Sequence, residues 1–88
     1  MRLVPELGGE RVYTRAELDS LVDVDRLRDL LGRVRGERVS RSYATRTADG
    51  RRFPEPLIDH PRLRLWLAAD VEAWLDANRP GWRDAPPV

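Results

Sequence analysis

Cysteine and lysine are both absent from this 88-residue sequence, and histidine occurs once, at His60. Without cysteine there is no disulfide framework, no thiolate zinc site and no cysteine nucleophile. One histidine excludes a multi-histidine metal site, so neither a metal nor any other cofactor is expected. No apolar run approaches the roughly 20 residues that a membrane-spanning helix requires. A basic stretch leading into an apolar core is missing from the start, so no secretory leader is expected. These absences lead to an expected cytoplasmic, reducing setting with no membrane partner. A chain of this length forms one domain and has no room for a two-domain enzyme with a cleft between its halves. It buries only about 60–65% of its unfolded surface, which leaves a thin stability margin.

What remains is a sequence with 41% hydrophobic residues, enough for one core. All sixteen basic residues are arginine, and the formal net charge is only +1. The distribution is uneven. Residues 1–32 carry five Arg and seven acids, net −2; residues 33–52 carry seven Arg and two acids, net +5; residues 53–88 carry four Arg and six acids, net −2. A basic block between two mildly acidic flanks is the distribution that a phosphate backbone attracts. Arginine also offers a planar fork of donors suited to phosphate oxygens and guanine edges.

The pattern predicts a mainly α-helical chain with a small β-hairpin. Residues 1–20 read as an N-terminal extension with an irregular or partly extended start. Thr14-Arg15-Ala16-Glu17 has the spacing of a capping box, which predicts a short helix from about 15 to 21 with Leu18 and Leu21 inward. Asp23 suits a second helix start, and Val24, Leu27, Leu30 and Leu31 share one face of a helix over 24–31 that Gly32 would end. Residues 33–38 read as a basic loop. Ser40 is placed to cap a third helix over about 41–48, stopped by Asp49-Gly50. Pro54 and Pro56 force an extended course after Phe53. Leu57-Ile58 and Leu63 to Trp66 then read as two strands joined through Asp59-His60-Pro61, a hairpin of about ten residues with Arg62 at its tip. Leu67, Val71, Trp74 and Leu75 mark a final helix that Pro80-Gly81 terminates. Trp82 is expected to fold back on the core, with residues 83–88 as a loose tail.

Wound at roughly 100° per residue, the third helix places Arg41, Ser42, Thr45 and Arg46 on one half of its circumference and Tyr43, Ala44, Thr47 and Ala48 on the other. The first half suits phosphates and base edges, and the second suits packing. Arg38 in the loop, Arg51 and Arg52 after the helix, and Arg62 and Arg64 in the hairpin are further candidates for backbone contact. A solvated basic surface is the competing account of all of them, and both accounts apply to Arg33 and Arg35 as well. Phe53, Trp66 and Trp74 belong to the core rather than to a base-stacking surface. Asp23, Asp25 and Asp29 are explained by helix capping and solvation, because no nucleophile–base pair accompanies them. The chain is therefore not expected to be an enzyme.

The motifs that carry a resemblance are Leu21-Val22-Asp23-Val24 with Leu27 and Leu30-Leu31-Gly32, then Val39-Ser40-Arg41-Ser42, then Arg52-Phe53-Pro54-Glu55-Pro56, then Trp66 with Asp70-Val71-Glu72-Ala73-Trp74-Leu75, the last two in combination being the specific part. In these, over about residues 21–78, the chain resembles the small AlpA-like and excisionase-like DNA-binding proteins of phages and actinobacteria, which share a MerR-type winged helix-turn-helix. That resemblance implies a winged helix-turn-helix domain over 21–82, with the helix at 40–48 in the major groove of double-stranded DNA. The hairpin at 57–66 would then act as a wing on the backbone or minor groove. It implies a transcriptional regulator or an excisionase-type recombination accessory factor, located with the nucleoid. It also implies partners among further copies of itself, bound side by side, an integrase or RNA polymerase. Two departures stand out: residues 33–38 are inserted in the turn, and Ala44 and Thr47 replace bulkier core residues. A protein-interaction adaptor of phage or plasmid origin, its basic loop docking an acidic partner, is the alternative.

Overall fold

Two faces of one buried tryptophan organise the molecule. Trp66 is fully buried, and its ring meets Phe53 edge-on at 5.7 Å, while Phe53 also packs on Trp74 at 5.0 Å. The Trp66 indole N–H donates to the Pro54 carbonyl at 3.1 Å, so its one polar atom is satisfied inside the core. The extended Phe53–Pro56 segment is thus the element that delivers Phe53 between two tryptophans. The computed structural model describes residues 2–3 and 12–88.

The elements follow in the order β1 (Arg2–Leu3), α1 (Arg15–Asp19), α2 (Val24–Gly32), α3 (Arg41–Ala48), β2 (Ile58–His60), β3 (Leu63–Leu65) and α4 (Ala68–Asn78). The fold is mainly helical with a small antiparallel hairpin. No described helix is long and apolar enough to cross a membrane.

Local chemistry starts each of the first three helices. Thr14 and Glu17 form the reciprocal capping box of α1. The Asp23 carboxylate accepts the Arg26 amide at 2.7 Å, and the Ser40 hydroxyl accepts the Tyr43 amide at 3.0 Å. α1 ends two residues sooner than its pattern predicts and buries no side chain; Leu18, expected inward, is 47% exposed. A helix of five residues makes little more than one turn, too little to bring a leucine face onto the core. α2 buries Leu27, Leu30 and Leu31, as its periodicity predicts.

Gly32 has a different role from the expected one. It is the last residue of α2 rather than the residue beyond its end. A Cβ there would lie 1.8 Å from the Glu37 carbonyl oxygen. Residues 33–38 fold back over this bare backbone: the amides of Arg35 and Glu37 both donate to the Gly32 carbonyl at 3.1 Å, and Gly36 turns the chain with a φ of 75°. Residues 33–38 are therefore a hydrogen-bonded turn. Arg28 closes it, its backbone carbonyl accepting the Val39 amide at 3.3 Å and its Nε donating to the Val39 carbonyl at 3.0 Å. This fixes Val39 in the core and sets the start of α3.

The hairpin pairs Ile58 with Leu65 and His60 with Leu63. Its turn is Pro61-Arg62, with Asp59 and His60 in β2 rather than in the turn where they were expected. Proline suits the first central turn position through its fixed φ, and His60 belongs to β2, where its Nδ1 accepts the Arg62 amide at 3.1 Å. The irregular lead-in expected at the start supplies a third strand: the backbone of Arg2 and Leu3 pairs antiparallel with Asp59 and Ile58, giving the order β1-β2-β3. On the other side, Val22 and Trp66 exchange backbone hydrogen bonds at 2.8 and 2.9 Å, which joins the hairpin to the start of α2.

α4 buries Val71 and Leu75. After Gly81, Trp82 returns to the core and is 4% exposed. Its indole N–H donates to Asp76 at 2.8 Å. Beyond it the chain is tied down rather than loose at Arg83, which pairs with Asp76 at 2.9 Å, and at the Ala85 carbonyl, which accepts from Arg33 at 3.0 Å.

Candidate nucleic-acid interface

α3 is held by its smallest side chains. Ala44 and Ala48 are the buried residues of the helix, so its axis lies close to the core. From their mean direction, a winding of roughly 100° per residue puts Arg46 diametrically outward, with Ser42 and Tyr43 on either side of it. Arg41, Ser42, Tyr43 and Arg46 are exposed, and Thr45 and Thr47 are half-buried. The outward face is thus turned by about one residue from the half-circle expected from the sequence. Tyr43, expected inward, borders it, and Thr45, expected outward, sits at its flank. Tyr43 is anchored sideways: its hydroxyl accepts from Arg79 at 3.0 Å, which ties α3 to the end of α4.

Two groups of arginine surround this helix. In the first, each guanidinium is bound by a carboxylate. Arg41 meets Asp25 at 3.1 Å. Arg38 meets Asp29 at 2.8 Å and donates to the Asp25 backbone carbonyl at 3.3 Å. Arg64, expected as a hairpin contact to a ligand, instead braces the hairpin to the end of α3. It pairs with Asp49 at 2.9 Å and lies over the Trp66 ring at 5.1 Å, with only a fifth of its side chain exposed.

The second group has no partner among the described residues. It comprises Arg46 at the outward vertex, Arg51 and Arg52 in the turn after α3, Arg62 at the tip of the hairpin, and Arg35 in the turn before α3. Arg62 and Arg41 line one shallow groove of about 150 Å³ between the hairpin and the starts of α2 and α3. Arg35 lines a second depression of about 170 Å³ that also includes Ser40 and Tyr43. The first groove brings the hairpin tip to the start of α3 and the second brings the preceding turn to it, with no lining residue in common.

The residues that sequence reasoning missed are Asp25, Asp29 and Asp49. Their signal was present in part, because Asp25 and Asp29 are one turn apart on α2 and share a face. What was not readable was that the turn brings Arg38 and Arg41 onto that face. Chemically the surface can bind anions and donate hydrogen bonds. Among the described residues there is no cluster of three or more His, Cys, Asp or Glu arranged for a metal ion. No protein-family model, curated protein or solved structure matches the chain.

Proposed function

We propose that the chain is a winged helix-turn-helix protein that binds double-stranded DNA without enzymatic chemistry, as a small transcriptional regulator or an excisionase-type accessory factor in recombination. In this reading α2, the turn and α3 form the helix-turn-helix. α3 enters the major groove with Arg46 leading, and Arg62 on the hairpin follows the backbone beside it. The observation that carries the reading is the unpaired Arg46 at the vertex of a helix whose buried side chains are Ala44 and Ala48 alone. The helix is held close to the core while its one outward cation is left without a carboxylate. Ser42 and Tyr43 supply hydrogen-bonding neighbours for a base edge.

The test is selection of bound duplexes from a random pool, followed by titration at several salt concentrations. Arg35, Arg51, Arg52 and Arg62 can each release about one counterion, so log K should fall with log salt at a slope of about −3.6 on any duplex. A slope near zero, or a pool that stays random, rejects the reading. A single helix and hairpin make a small interface, so binding side by side on clustered sites is expected.

The adaptor reading is favoured by one observation: Arg38, Arg41 and Arg64 already donate to carboxylates, as they would to those of an acidic protein partner. It predicts capture of a protein and no salt-sensitive affinity for DNA.

A further inference from the structure

Asp25 stands where three guanidinium groups converge. One of its oxygens lies 3.1 Å from Arg41, 3.5 Å from Arg28 and 3.8 Å from Arg38. Asp29, one turn further along α2, holds the Nε of Arg38 at 2.8 Å. Arg28 is already engaged with the Val39 carbonyl. Arg38 and Arg41 are the cations immediately before and at the start of α3, and both are largely accessible, at 43% and 62% of their side chains. Ion pairs this exposed contribute little to folding. Their effect falls on whatever else would use the arginines, because a carboxylate and a phosphate oxygen present the same acceptor to a guanidinium.

We infer that Asp25 and Asp29 act as internal stand-ins for phosphate and are specificity-determining residues: Asp25 withholds Arg41, and Asp29 withholds Arg38, from DNA of arbitrary sequence. The inference rests on the DNA-binding reading and deepens it. On an arbitrary duplex α3 finds no matching base edges, and the two carboxylates keep their arginines. On the matching site, base contacts hold the start of α3 against the backbone, and phosphates displace the carboxylates. Two contacts are then added only where the sequence is right, which widens the ratio between specific and non-specific binding.

The experiment compares the full chain with Asp25→Asn, Asp29→Asn and, as a control, Asp19→Asn, whose carboxylate lies on α1 beside Arg15. Each is titrated against a random duplex and against the selected site over roughly 0.05–0.3 M salt, with thermal melts confirming that each is folded. On the random duplex Asp25→Asn, which frees Arg41 while Asp29 keeps Arg38, is expected to steepen the slope from about −3.6 to about −4.5 and to tighten binding about five-fold near 0.15 M salt. Asp29→Asn, which frees Arg38 alone, should steepen it by about 0.9. The gain on the selected site should be smaller than on the random duplex, and Asp19→Asn should leave the slope unchanged. If folded Asp25→Asn keeps the wild-type slope, or gains equally on both duplexes, the inference falls while the DNA-binding reading stands. If the wild-type slope is itself near zero, both fall.

Discussion

Around α4 and the C-terminal turn, arginine is a building material; at the outward vertex of α3, in the turn after it and at the tip of the hairpin, it is left facing solvent. Arg79 lies over the Trp74 ring at 5.2 Å while donating to Tyr43. Arg83 lies over Trp82 at 4.6 Å and forks onto both oxygens of Asp76. Arg33 approaches the same Trp82 ring at 5.4 Å. Each of these cations has an aromatic face together with an acceptor, an arrangement that buries the stem and directs the head. Arg46, Arg51, Arg52 and Arg62 have neither. The difference comes from the neighbours: α4 and its turn supply two tryptophans and acidic side chains, whereas α3 contains no acid at all. One residue type thus serves two purposes, and the partner within reach decides which.

The largest perturbation tests what joins the two regions. Trp66→Ala removes the ring that touches Phe53 on one side and carries Arg64 above it on the other. It should cost about 3–5 kcal/mol, enough to unfold a domain of this size, as read by chemical denaturation. A variant that melts cooperatively near the wild-type midpoint would mean that the two regions are stabilised separately.

A matched pair sharpens the contrast directly. Arg46→Ala should leave the melting temperature unchanged and cost about 1–3 kcal/mol of affinity for the selected duplex, with relaxed preference at one position. Arg83→Ala should do the reverse, lowering the melting temperature with affinity intact. Equal effects of the two on melting would erase the distinction drawn here.

The smallest effect is expected from acid. Hydrogen bonds from Arg83 and then from the Trp82 indole hold the Asp76 carboxyl below the usual carboxylate range, and Asp76 in turn raises Arg83. A depressed carboxyl contributes stability above its unfolded value and loses that contribution as pH falls through the lowered folded value, so the C-terminal turn should loosen only below about pH 4. Tryptophan fluorescence during acid titration reads this, and Asp76→Asn should remove that component. Coincident acid curves for the two proteins would show that Asp76 is not the latch.

What was legible in the sequence is what short-range chemistry determines. Thr14, Asp23 and Ser40 cap their helices because a side-chain oxygen three residues ahead of an amide has a fixed partner. Leu27, Leu30 and Leu31 share a face by winding alone, and Phe53 is placed by the prolines that follow it. The remainder depends on contacts between distant segments. The role of Gly32 depends on Glu37 passing across it. The tilt of the α3 face depends on the closeness that Ala44 and Ala48 allow. The pairing of Arg38, Arg41 and Arg64 depends on where the turn and the hairpin return to α2 and α3. For the candidate site, residue type and element were readable, whereas the division between bound and unbound arginine was not.

The length of α3 has a consequence of its own. Eight residues rise about 12 Å, and only the outward third of that cylinder can touch base edges. On the DNA-binding reading, one copy therefore samples about four base pairs, a word that recurs by chance roughly every 250 positions. No tuning of Arg46 adds letters to that word. Addressing a unique genomic locus must come from counting words at fixed intervals, so the spacing between them carries as much of the message as their spelling.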